Sequence, residues 1–143
     1  MNMAAPVRIK RVNLMMSAGA PDLTVDAQES AQDNVYLDRA WLRSRGYDGQ
    51  RLMALAMTGD SMAPGLYAGD TIVVNRADTQ PRDGEVFVVN YEGTLLIRRL
   101  VREAGAWWLC ADSTEQRRFR RKRYTGAQCV MLGRVVYKLS ERI

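Results

Sequence analysis

The sequence predicts a mostly β domain, a compact antiparallel sheet or partial barrel with one short helix. Three observations carry that expectation. Beyond Gln50 the chain breaks into short apolar runs, turn signals stand between the runs, and only one segment has both a helix start and a helix stop.

In chain order, Val7 to Met16 reads as a strand, because Arg8 and Lys10 alternate with Val7 and Ile9. From Ser17 to Asn34 small, polar and acidic residues dominate, which is the composition of a loop or linker. Asp38 to Arg45 is the helix: Asp38 suits the N-cap, Trp41 and Leu42 supply an apolar face, and Gly46 stops it. The strands that follow are Leu52–Met57, Thr71–Asn75, Val86–Tyr91, Leu95–Leu100, Ala106–Ala111 and Val130–Leu139. Pro64-Gly65, Gly69-Asp70, Pro81-Arg82-Asp83-Gly84 and Glu92-Gly93 punctuate them. Tyr91-Glu92-Gly93-Thr94, between two apolar runs, is a hairpin signal.

At 143 residues the chain is one domain's worth. Its 47% apolar and 26% charged content is that of a globular protein. Lys+Arg 21 against Asp+Glu 16 leaves +5, and there is no histidine. That excludes a Ser-His-Asp triad, a Cys-His dyad and a histidine metal site. Cys110 and Cys129 sit in apolar, strand-like runs and form no CxxC pair, so both are expected to be reduced core thiols. No apolar run approaches the 18 or so residues a membrane helix needs, and the N-terminus has no apolar leader. A soluble, cytoplasmic protein without metal or organic cofactor is expected.

The segment that points to chemistry is Gly59-Asp60-Ser61-Met62-Ala63-Pro64, just past a predicted strand. A serine at such a turn presents its hydroxyl beside free backbone N–H groups, with Asp60 and Met62 flanking a potential oxyanion site. Taken alone, Gly-Asp-Ser also reads as an ordinary turn. Its companions decide between the two. Gly69-Asp70-x-x-Val73-Val74, Asp83-Gly84-x-Val86-x-Val88, Ile97-Arg98-Arg99-Leu100 and Leu132-Gly133-Arg134-Val135-Val136 follow in that order. Together, over about residues 50–138, they resemble the self-cleaving peptidase domain of LexA-like and phage CI-like repressors, which the mutagenesis protein UmuD shares.

The resemblance implies an all-β fold of the LexA C-terminal type, a homodimer, and a serine–lysine dyad that cuts the protein's own linker. Carried over, Ser61 matches the nucleophile and Ala18-Gly19 the scissile bond. Residues 1–37 then form an N-terminal strand and cleavage-site region, and residues 38–143 the dimerisation and self-cleavage body. Arg98 departs from the pattern, because it stands where the family has its lysine. A general base must be neutral when it takes the serine proton. For a lysine at about 10.4 that means a shift of roughly 3.4 units to reach pH 7, or about 4.6 kcal/mol, within the range burial achieves. For an arginine the gap is at least about 5.5 units, or about 7.5 kcal/mol, and burial does not close it. Self-cleavage is therefore expected to be absent or very slow.

Arg117, Arg118, Arg120, Arg121, Lys122 and Arg123 surround Phe119 in a strongly basic run. The run suits phosphate contacts, and equally a solvated, charge-blunted sheet edge. Residues 1–37 offer no helix-turn-helix, whereas repressors of the family read DNA through an N-terminal module of that kind. A RecA-type filament or an antirepressor protein is a further partner the resemblance implies. Two other readings stand beside the repressor: a free-standing, UmuD-like pseudo-protease interaction module, and a β domain binding nucleic acid through residues 117–123.

Overall fold

The computed structural model describes residues 5–16, 25–29 and 34–140. Ten strands follow in chain order: β1 (Val7–Met16), β2 (Val25–Glu29), β3 (Val35–Leu37), β4 (Leu52–Ala56), β5 (Thr71–Asn75), β6 (Val86–Tyr91), β7 (Thr94–Glu103), β8 (Ala106–Cys110), β9 (Lys122–Arg123) and β10 (Cys129–Leu139). One helix, α1 (Arg39–Arg45), and a 3-10 turn, Gly49–Arg51, lie between β3 and β4. The expected mostly β architecture with one short helix is what is found.

The strands run in the order β2-β1-β4-β5-β10-β6-β7-β8-β9, with β3 on the side of β1. Every pairing is antiparallel except β1 with β4, which is parallel through Lys10–Met53 and Arg11–Ala54. The last long strand is thus the central one. Its second half pairs with β5 and its first half with β6, with register shifts at Met131/Gly133 and Val135/Tyr137.

Alternation along the strands sends successive side chains to different clusters, as a period of two requires. Met53 and Leu55 of β4, Ile72 and Val74 of β5, and Val88 of β6 enter one core cluster with Met57, Met62, Leu66 and Ile97. Their neighbours Leu52, Ala54 and Val73 pack against Ile9, Val35, Leu37 and Leu42. Phe87 and Val89 pack against Leu96, Leu100, Leu109 and Cys129. Both faces are covered, which is why β5 and β6 read as continuous apolar runs rather than as alternating ones.

The helix has the expected ends. Asp38 Oδ1 accepts from Ala40 N at 2.7 Å and Trp41 N at 3.2 Å, and Gly46 closes the helix in the left-handed conformation (φ 72°). The hairpin signal also holds: Tyr91 faces Thr94 across Glu92 (φ 47°) and Gly93 (φ 88°), both left-handed, as a two-residue type I′ turn demands.

Four element assignments are corrected. Val25–Glu29, inside the expected 17–34 loop, is a strand, because pairing with Val12–Met16 outweighs its polar composition. Val35–Leu37 is a strand held against Val7–Ile9. Strand β7 extends to Glu103, since Arg102 faces Trp107 in register and stacks on its ring at 5.3 Å. Lys122–Arg123 is a short edge strand on β8. The two cysteines are free thiols, Cys129 buried and Cys110 half-buried.

Candidate active site

Ser61 sits in the loop that leaves β4 and returns to β5. Backbone bonds from Met57 N to Asp70 O (2.7 Å) and from Gly69 N to Met57 O (2.9 Å) pinch the loop at its neck. Gly59 takes a left-handed φ of 73°, which starts the turn. Within it Ala63 N donates to Asp60 O and Leu66 N to Met62 O. Met62 is completely buried in the core cluster beneath the sheet and anchors its neighbour. Ser113 N, just past β8, donates to Ser61 O at 2.9 Å and fixes the serine from the other side. Ser61 is 7% exposed as a result.

Arg98 comes from β7, where its backbone pairs with Phe87 of β6. Its Nη1 donates to Ser61 Oγ at 2.8 Å and to its neighbour's carbonyl, Ile97 O, at 2.8 Å. Phe119 lies 5.9 Å from the guanidinium carbon. The two residues, 37 apart in sequence, therefore meet directly. Burial pushes the Arg98 guanidinium below its ordinary value, with no charged partner contributing to the shift. Arg99, next in the strand, is the contrast. It grips Asp112 through Nε (2.9 Å) and Nη2 (2.7 Å) and gives Nη1 to Gly84 O (2.6 Å), and its bond to Asp112 raises its pKa.

Ser61 and Arg98 open on a cavity of about 250 Å³, walled also by Thr58, Asp60, Arg118 and Phe119. Arg118 Nη1 bridges to Asp60 (3.2 Å) and Glu115 (3.4 Å) at the exposed rim. No lysine lines this cavity. Among the described residues, no acceptor takes the N–H of Ser61 or of Met62. The hydrogen bond between the two side chains runs from guanidinium to hydroxyl. A base would have to accept from Oγ, and a protonated guanidinium has no lone pair with which to do so.

Residues 11–136, most of the chain, match the family described as Peptidase S24-like. The chain belongs to that family. It is also 33% identical over 90 residues to a Pseudomonas aeruginosa protein described as the HTH-type transcriptional regulator PrtR, covering 63% of this chain. The chain matches about a third of that relative's length (34%).

The other expected site residues fall as follows. Asp60 stands on the rim and Met62 beneath it in the core, so the two do not face the cavity together. Ala18 and Gly19 lie outside the described residues, in the connection between β1 and β2, whose nearest pair is Met16–Val25. Four members of the basic run are engaged by the chain itself. Arg118 makes the rim bridges, Arg121 pairs with Glu103 (2.7 Å) and covers Trp108 (3.9 Å), Lys122 lies over Tyr91 (5.4 Å), and Arg123 over Trp108 (5.9 Å). Among the described residues, the side chains of Arg117 and Arg120 make no such contact. Sequence reasoning missed Asp112 and Ser113, the pair that ties Arg99 and Ser61 to the end of β8. The only signal was their turn-forming character after an apolar run. No helix among the described residues is long and apolar enough to cross a membrane.

Proposed function

We propose that this chain is the peptidase-type module of a transcriptional repressor in which self-cleavage is disabled. Residues 1–37 carry the cleavage-site region around Ala18-Gly19, and residues 38–143 form the body that dimerises and holds the former catalytic pair. Ser61 stands in the nucleophile position, Arg98 in that of the base. The N–H groups of Ser61 and Met62 are the donors available to an incoming carbonyl oxygen. DNA is read by a helix-turn-helix segment outside residues 1–143, as the name of the Pseudomonas relative suggests. Joining two such readers through this body raises their effective concentration at a paired operator.

One observation carries the loss of cleavage: Arg98 donates to Ser61 Oγ where a base must accept. The serine is held but not activated. Intact mass measurement after incubation at pH 7 to 10 tests this, comparing the chain with its Arg98→Lys and Ser61→Ala/Arg98→Lys forms. The unaltered chain is expected to keep one mass. Arg98→Lys is expected to release a fragment ending at residue 18, and the double variant to stay whole. Cleavage of the unaltered chain as fast as that of Arg98→Lys overturns the proposal.

A further inference from the structure

We propose that the Ser61–Arg98 cavity is a receptor for the carboxylate of an extended peptide segment, held by the unpaired Nε–Nη2 edge of Arg98. The inference rests on the reading above, in that a cleft which does not turn over is free to retain what it binds.

A guanidinium has five N–H donors. In Arg98 the two on Nη1 are directed to Ser61 Oγ and Ile97 O. Among the described residues, nothing accepts from Nε or Nη2. That edge is the one a carboxylate takes in bidentate fashion, and Arg99 displays the arrangement one residue away, with Asp112 on its own Nε and Nη2. Two consecutive arginines of one strand thus differ in how their charge is met. Arg99 has its acid in hydrogen-bond contact, whereas Arg98 lines a cavity whose one carboxylate, Asp60, is bridged to Arg118.

A half-buried cation with only neutral partners carries an uncompensated desolvation cost. Hydroxyl, carbonyl and aromatic ring offset part of it. An anion arriving with two parallel hydrogen bonds offsets far more, and the walls favour a peptide over a bare ion. Thr58 and Ser61 offer hydroxyls, Phe119 an apolar ring, and the Asp60–Arg118 bridge caps the rim. A neutral lysine would not hold such a ligand, so the exchange that removes the base creates the receptor.

The carboxylate has two sources, a chain terminus or an Asp or Glu side chain, and three dansyl peptides separate them: Ala-Ser-Ala with a free carboxylate, Ala-Ser-Ala amide, and Ala-Asp-Ala amide. Binding is read by fluorescence anisotropy with the intact chain and with Arg98→Gln and Arg98→Lys, whose folding is checked by circular dichroism. At least one acidic peptide is expected to bind ten-fold or more tightly than the neutral amide. That discrimination is expected to vanish in Arg98→Gln and shrink in Arg98→Lys. Equal binding of all three peptides, or discrimination that survives Arg98→Gln, overturns the inference. Mass measurement of the same samples keeps the two ideas apart. A chain that stays whole but does not discriminate refutes the receptor alone, whereas one that cleaves itself refutes the disabled peptidase.

Discussion

Gly133 offers a sharp quantitative test of how the sheet is assembled. It lies in β10 near where that strand changes partners, directly after the register shift that separates the pairs Met131–Val89 and Gly133–Val88. A Cβ on Gly133 would lie 2.5 Å from Asn75 O, 2.8 Å from Val74 Cγ1 and 3.0 Å from Asn75 C. Two of those atoms belong to the backbone of β5 and cannot rotate away. Asn75 is itself committed, accepting from Asp78 N through its carbonyl (3.2 Å) and from Ala77 N through Oδ1 (3.0 Å). Asp78 in turn holds Arg134 Nε at 2.6 Å. Gly133→Ala must therefore push β5 from β10 or distort that turn. Overpacking costs about 1–3 kcal/mol, and rigid neighbours put this case near the top, at about 3 kcal/mol. With an unfolding entropy of about 0.3 kcal/mol per kelvin for a chain of this size, the midpoint should fall by about 10 °C. Gly126, whose added Cβ would meet nothing within 4 Å, is the control, and Gly126→Ala should stay within about 1 kcal/mol of the parent. Thermal melts followed by circular dichroism read both. A Gly133→Ala midpoint within about 2 °C of the parent refutes the steric argument.

Asp112→Ala removes both acceptors of the Arg99 fork; because the pair is partly exposed, the loss should be about 1–2 kcal/mol, seen as a midpoint lower by about 3–7 °C. No change would mean that water replaces the carboxylate without cost. Burial raises the thiols of Cys110 and Cys129 and the phenol of Tyr124, so the folded chain keeps protons that the unfolded chain gives up. The thiols' contribution to stability is intact below the ordinary thiol range and is lost as pH rises through it, and the phenol's is lost in the higher phenol range, by at most about 1.4 kcal/mol per pH unit for each group. Urea unfolding between pH 7 and 10.5 should show a decline beginning near pH 8.5, and a flat profile contradicts the assignment. Finally, with only Arg117 and Arg120 of the basic run uncommitted, the chain by itself should bind duplex DNA with a log–log salt slope no steeper than about −2. A slope near −5 would show the whole run turned toward phosphate.

The strands legible in the sequence are those whose burial is dictated locally. Thr71–Asn75 and Val86–Tyr91 each carry an unbroken apolar stretch, Ile72–Val74 and Val86–Val89, and Glu92-Gly93 permits little but a tight turn. The unread strands take their structure from partners far along the chain. Val25–Glu29 and Lys122–Arg123 have polar sequences, and only the edges of β1 and β8 make them extended. The basic run was ambiguous for the same reason. Nothing local says that Arg121 will find Glu103 and Trp108, or that Arg118 and Phe119 will close the cavity over Ser61.

The resemblance drew attention to Ser61 and Arg98 together, and they are in contact. What no linear reading supplies is the difference between Arg98 and Arg99. In the sequence they are two like charges in a row. In a strand, neighbouring side chains leave on opposite sides, so their surroundings are independent. Pairing with β6 and β8 then fixes where each points. One side delivers Arg99 to Asp112 and Gly84 at the foot of the sheet, where its charge is matched and serves the fold. The other delivers Arg98 to a serine hydroxyl and a carbonyl, with its second edge unmatched beside an open cavity. A stabilising arginine and a ligand-seeking one are the same residue. The register that separates Asp112 from Ser61 decides which is which.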